Sequence, residues 1–343
     1  MQSFRRFSTA AVLWMIPACL FLAAAVFILP LGGIDRTAFA ALAQWETTAA
    51  NPFLAPLHSA LLHPVWGLVI QTVFMSWLLL LLQQMVERYD LTENRCIFPL
   101  AIFLLVAAFI IPLYVQPAAA WATLLSLTGL SRLFDCYKQA QCNRALFDAF
   151  FCFTTAAVAV PPLIGLVPLM WILFLAVNVP SAGRLLSSLA GIATLLWTVW
   201  GLLFLTGRTE WLTAYHSCLQ ADFITTVPLT ASPWFASTGG KLFFAAYCLT
   251  FVCAVVAFWH RDRGRRRSVT LYSLMLQLFW GMLTLAACCF PKESVTLTWI
   301  SLFPYSITLG QFFFEHDNRL TRLLLAGLIA ALAGSFVLFQ LQK

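Results

Sequence analysis

The sequence predicts an all-α protein, a polytopic transmembrane helical bundle of about eleven helices forming a single integral membrane domain with its N-terminus in the cytoplasm. Three observations predict it. Of 343 residues, 62% are hydrophobic and only 10% charged, against roughly 25% charged in soluble domains. A soluble chain this apolar would expose patches large enough to aggregate, so the bilayer is the solvent that fits. Apolar runs of membrane-crossing length recur along the whole chain. The basic residues sit in short clusters between those runs, which is the arrangement that sets membrane orientation.

A spanning helix needs about 20 largely apolar residues, because lipid offers no partner for exposed backbone groups. The segments that qualify are 10–31, 62–84, 97–115, 117–132, 145–160, 162–178, 185–206, 242–259, 269–290, 295–313 and 321–340. The first begins after Arg5-Arg6 like a signal peptide, but its apolar run exceeds the usual 7–15 residues of one, and it reads as a retained helix. The segments at 117–132, 145–160 and 162–178 are short, and Pro161-Pro162 reads as a tight turn between the last two.

Charge asymmetry orients the chain. With the N-terminus inside, fifteen of the twenty Lys and Arg residues fall in cytoplasmic segments and five outside. The fifteen are spread over six segments, from Arg5-Arg6 through Arg88, Arg132, Arg184 and the 260–267 run HRDRGRRR to Arg319 and Arg322. The formal charge of +7 is therefore a signature of membrane orientation and of contact with anionic lipid, not of nucleic-acid binding.

Ten cysteines are present. Most lie in apolar runs or cytoplasmic segments, where they read as small packing residues rather than a disulfide framework. Cys136 and Cys142 lack a zinc-like spacing and a nearby histidine, so no metal site is expected from them.

No Asp, Glu, Lys or Arg falls in the middle of a span, which weighs against a proton-coupled carrier, pump or flippase. Gln71 and Gln277 are the clearest polar residues within spans and read as bonds between helices. Chemistry is expected at the outer face, where two long loops carry ionisable residues. The first, 32–61, holds Asp35, Arg36, Glu46 and His58, with His63 at the mouth of the next helix; the second, 207–241, holds Arg208, Glu210, His216 and Asp222 among aromatic residues. Long irregular loops are often functional. The reaction that would use them is transfer from a lipid-linked donor. A carboxylate, Asp35 first and Glu46 second, would act as general base for an acceptor hydroxyl or hold a divalent metal against a phosphate. Arg36 or Arg208 would pair with the phosphate, and His58, Glu210 and His216 are further candidates for binding the substrate.

The stretch RLFDCYKQAQCNRALFDAFFCFTTAAVAVPPLI, 132–164, resembles an uncharacterised family of multi-pass inner-membrane proteins of Bacteroidota. Arg132, Leu146, Phe147, Asp148 and Ala149 fit that family's pattern; Phe150 stands where it has glycine, and Val160-Pro161 where it has an aromatic-Pro pair. The resemblance implies a bacterial inner-membrane location, with no activity attached. More distantly, the layout is similar to polyprenyl-phosphate-dependent membrane glycosyltransferases, which have a cytoplasmic N-terminus and a long first outer loop bearing a catalytic acid. Asp35 falls where that acid would, although Arg36 replaces the second acid of the usual pair. This second resemblance implies a polyprenyl-phosphate-linked sugar as donor. The competing expectation is a non-enzymatic membrane subunit or scaffold in envelope assembly.

Overall fold

The structure is a computed structural model; it describes residues 64–91, 98–109, 117–139, 141–178, 181–213, 215–217, 232–261, 266–315 and 319–341. The expected first span, the 32–61 loop with Asp35, Arg36, Glu46 and His58, and Asp222 lie outside the described residues. Among the described residues the chain is all-helical, with no strand.

The helices are α1 (Pro64–Arg88), α2 (Phe98–Phe109), α3 (Pro117–Asp135), α4 (Asn143–Ala159), α5 (Leu166–Val177), α6 (Ala182–Leu205), α7 (Thr238–Arg261), α8 (Arg267–Cys289), α9 (Ser294–Ile300), α10 (Leu302–Glu315) and α11 (Arg319–Leu341). These labels number helical segments, not crossings. Three of them, α6, α7 and α8, are long and apolar enough to cross a membrane, by length and composition, over Ala182–Leu205, Thr238–His260 and Arg267–Cys289.

Local sequence explains the boundaries. Pro161-Pro162 opens a single 3-10 segment, Pro161–Gly165, between α4 and α5, because proline supplies no N–H to extend a helix. α5 has only 12 residues, about 18 Å of rise. The segment 295–313, which reads as one helix in sequence, is two. Its break at Ser301 follows from Pro304, which lacks the N–H that would bond to Ile300. The turn is slight, since Ser301 N–H still reaches Leu297 O at 3.0 Å and Tyr305 N–H reaches Ser301 O at 3.2 Å. α6 ends in a Schellman motif. Gly207 takes φ +66, a left-handed conformation suited to glycine, while Arg208 N–H bonds to Leu203 O at 2.9 Å and Gly207 N–H to Phe204 O at 3.2 Å.

The broken pair α9–α10 is the axis of the bundle. Every residue from Ser294 to Phe313 is buried. α9 packs on α3 and α8, and α10 on α2, α7 and α8; around this axis α1 packs on α3, α3 on α4, α4 on α6, and α7 on α11. Three contacts are too close for a side chain, the mildest being that of a Cβ on Gly129 at 2.8 Å from the Phe153 ring. A Cβ on Gly310 would lie 2.5 Å from Pro99 Cγ, and one on Gly191 would lie 2.6 Å from Phe147 O.

Polar contacts sort the helix termini into two groups. One joins the end of α1, the end of α3, the start of α4, the end of α5, the starts of α6 and α8, and the later part of α10. The other joins the end of α4 to the segment after α6, through Tyr215 O–H donating to Ala157 O at 3.1 Å. It also joins the turn Pro233–Ala236 to the start of α9, through Ser232 and Ser294 hydroxyls 2.7 Å apart.

Candidate functional site

Three groups of polar residues are positioned by this frame, and sequence patterns pointed to only one of them.

The first is the described part of the 207–241 segment, which the sequence leads one to expect as an outer loop. Arg208 follows the α6 stop, and its guanidinium lies over the Trp211 ring, 4.9 Å from the centroid, a cation–π arrangement. Glu210 and His216 are exposed, and the Glu210 backbone carbonyl accepts from Thr213 Oγ1 at 2.7 Å. Tyr215 anchors the segment to α4. No hydrogen bond or ion pair joins any two of Arg208, Glu210 and His216 among the described residues. They therefore share one wet segment without forming a preassembled constellation.

The second group was legible in sequence only as orienting charge. Asp135, whose side chain is 12% exposed, receives Arg88 Nη2 at 2.8 Å and Arg132 Nη1 at 3.6 Å, and its Oδ1 lies 2.8 Å from the Tyr89 hydroxyl. Arg132 also reaches Asp148 at 3.9 Å, tying α3 to the first turns of α4. Tyr89 sits just after α1, packed edge-on against Phe134 and Tyr272, and burial pushes its phenol well above the ordinary range. The next residue, Asp90, has φ 49, which turns the chain sharply after the helix. Beside this lock, Asn178 Nδ2 donates to the carbonyls of Cys136 at 2.8 Å and Gln139 at 2.9 Å, and Arg184 Nη1 donates to Asn178 Oδ1 at 3.1 Å. Cys136 and Cys142 are buried under this bridge, and burial raises the Cys136 thiol well above its usual value. Gln311 of α10 donates to the Leu91 carbonyl and lies beside Ser273 of α8.

The third group lies around the break in the central axis. Trp280 Nε1 donates to Tyr247 Oη at 2.9 Å, Tyr247 Oη is 2.7 Å from Ser301 Oγ, and Thr250 Oγ1 is 2.8 Å from Tyr305 Oη. The rings pack as well as bond. Tyr247 stacks on Tyr305 at 4.2 Å, and Phe251 on Trp280 at 3.7 Å. Several Ser and Thr hydroxyls of α9 and α10 return to their own helix, as in Thr298 Oγ1 to Ser294 O at 2.7 Å and Thr308 Oγ1 to Pro304 O at 2.9 Å. This is how an uncharged polar helix is buried at low cost, since each hydroxyl carries its own acceptor with it. Among the described residues, buried Trp299 Nε1 of α9 and Ser126 Oγ of α3 have no hydrogen-bond partner. The signal in sequence was SVTLTWISLFPYS, a hydroxyl-rich run broken by proline, which a search for charged residues passes over.

Gln277, expected to bond between helices, accepts from Trp259 Nε1 at 3.0 Å and so joins α8 to α7. Among the described residues no three His, Cys, Asp or Glu side chains are grouped to hold a metal ion.

Comparison with family models, curated proteins and solved structures gives no match for this chain.

Proposed function

We propose that this chain is a polytopic protein of the bacterial inner membrane, with about eleven spans and a cytoplasmic N-terminus, and that it transfers a sugar from a polyprenyl-phosphate carrier at the outer face. The observation that supports the topology is the sorting of helix ends. Segments that the charge rule assigns to the cytoplasm, containing Arg88, Arg132, Arg184 and Arg266, are linked by contacts into one group. Segments assigned to the outside, containing Tyr215, Ser232 and Ser294, meet at the opposite ends of the same helices. A charge pattern and an independent set of contacts agree on which ends belong together.

The chemistry rests on the outer loops. An acceptor hydroxyl oxygen would attack the sugar's anomeric carbon while the bond from that carbon to the phosphate oxygen breaks. Asp35, or Glu46, would take the hydroxyl proton, and the polyprenyl phosphate would leave with its negative charge paired to Arg36 or Arg208. His58, Glu210 and His216 would bind sugar hydroxyls, and a divalent metal held by the same carboxylates is the other form of this chemistry. The test is the lipid-linked glycan profile of a deletion strain, with complementation by Asp35→Asn and Glu46→Gln. Loss of complementation at normal expression supports transfer. Accumulation of no lipid-linked sugar in the deletion, with full complementation by both variants, sinks it.

A second reading has one observation in its favour. The charged residues around Asp135 are engaged with one another and hold helices together, as in a membrane subunit or scaffold for envelope assembly. Full complementation by both carboxylate variants, together with loss of function when the Asp135 group is broken, would favour it.

A further inference from the structure

Among the described residues α6 carries many exposed apolar side chains, and those near its C-terminal end are aromatic. Trp197, Trp200 and Phe204 are 72%, 47% and 64% exposed. They form a continuous column, with ring centroids 5.4 Å apart for Trp197–Trp200 and 5.7 Å for Trp200–Phe204, the second pair stacked. Immediately beyond the column the Gly207 turn stops the helix and presents Arg208 with Trp211.

Ordinary lipid contact does not account for this arrangement. Aromatic belts sit at headgroup level, which suits Phe204 and the Arg208–Trp211 pair at the helix end. Trp197 lies eight residues before the end of α6, about 12 Å deeper at helical rise, and that is well into the hydrocarbon. A bulky ring with an N–H gains nothing over leucine against fluid acyl chains there. A fixed aromatic column does provide a rigid apolar track of about 10 Å, ending at a cation.

We propose that this column is the docking track for the isoprenoid tail of the lipid-linked donor, with Arg208 taking its phosphate at the outer interface. The inference rests on the transfer reading above and assigns to it a place on the protein. The occupant must be an amphiphile with an anionic head at the level of Arg208 and an apolar tail extending along α6. The complementarity is of charge at one end and of apolar surface along the rest.

The experiment uses the full-length protein in nanodiscs of phosphatidylglycerol and phosphatidylethanolamine. A long-chain isoprenyl phosphate is titrated in as the probe, and bound lipid is read by native mass spectrometry. Wild type should retain isoprenyl phosphate against the phospholipid background. Trp197→Leu with Trp200→Leu, which preserves apolarity, should weaken retention by about tenfold, and Arg208→Gln by a similar factor. Phosphatidylglycerol occupancy should not change in either variant. A monodisperse size-exclusion peak controls for folding, and Leu202→Ala on the same helix should retain wild-type binding. Equal retention of isoprenyl phosphate in wild type and both variants overturns the proposal, as does displacement of the probe by phosphatidylglycerol alone. Column-dependent binding without any sugar transfer would overturn the transfer reading and leave the lipid site standing. Transfer that is insensitive to both variants would do the reverse.

Discussion

The Tyr89 hydroxyl lies 2.8 Å from Asp135 Oδ1 and 2.6 Å from the Ser131 carbonyl, so its single proton is shared between two acceptors on α3. Burial favours the neutral phenol, and the residue is a hydrogen-bond donor over the whole physiological range. Tyr89→Phe should destabilise the protein by about 1–2 kcal/mol, the range for a buried hydrogen bond with partial charge assistance. The measurement is thermal unfolding in detergent. A variant as stable as wild type would show that Arg88 and Arg132 satisfy Asp135 without the phenol.

The same burial has a pH consequence. The folded-state pKa of Tyr89 is raised above its ordinary value of 10.0, so its contribution is complete below that pH and is lost as pH rises beyond it. Above pH 10.0 the unfolded chain releases the phenolic proton while the folded chain keeps it, and stability falls. Wild type should therefore lose stability more steeply than Tyr89→Phe between neutral and alkaline pH. Parallel curves for the two proteins would contradict this.

Gly191 and Gly310 are required by helix contact. Ala at 191 would press on the Phe147 carbonyl and Phe151 N of α4, and Ala at 310 on the Pro99 ring and backbone N of α2. Backbone cannot yield as a flexible side chain can, so each should cost about 1–3 kcal/mol. Gly201→Ala is the matched control, since nothing lies within 4 Å of the added methyl. It should be neutral or slightly stabilising, because alanine is the better helix former. Yields and melting temperatures of the three variants decide the point.

Cysteine reactivity offers a further check. Cys136 is buried with its thiol pushed upward, so maleimide should label it slowly in the folded protein. Cys289, exposed at the end of α8, should label readily. Rapid labelling of Cys136 would mean that the Asn178–Arg184 bridge over it opens freely.

Much of the helical layout was readable from the chain because apolar run length and proline position act locally. The 3-10 turn at Pro161-Pro162 and the helices near 185–206, 242–259 and 269–290 fall where those rules put them. The break at Ser301 was missed because run length ignores a proline near the middle of a segment, although the missing N–H of Pro304 is itself a local signal. The Asp135 group was legible only as scattered charge. Its members come from α1, α3 and α4, and sequence separation hides which of these charges meet. The uncharged hydroxyl–aromatic cluster around Tyr247 and Tyr305 was invisible for a different reason. Serine and threonine in an apolar helix read as neutral, and only packing shows that they face rings with hydroxyl and indole groups. Of the expected outer-face residues, Arg208, Glu210 and His216 are described and exposed, and only Arg208 has a partner ring.

The buried axis α9–α10 also bears on how the protein is made. Its residues, from Ser294 to Glu315, leave the ribosome after nearly all of the helices that surround them. Until then α2, α3, α7 and α8 have no common partner, and the Tyr247 and Trp280 side chains lack the Ser301 and Tyr305 surface they finally meet. Biogenesis must therefore hold the earlier helices in an open arrangement that admits a late arrival. A chain truncated before Ser294 should insert and then be cleared by proteolysis, because it lacks the late segment on which the earlier helices close.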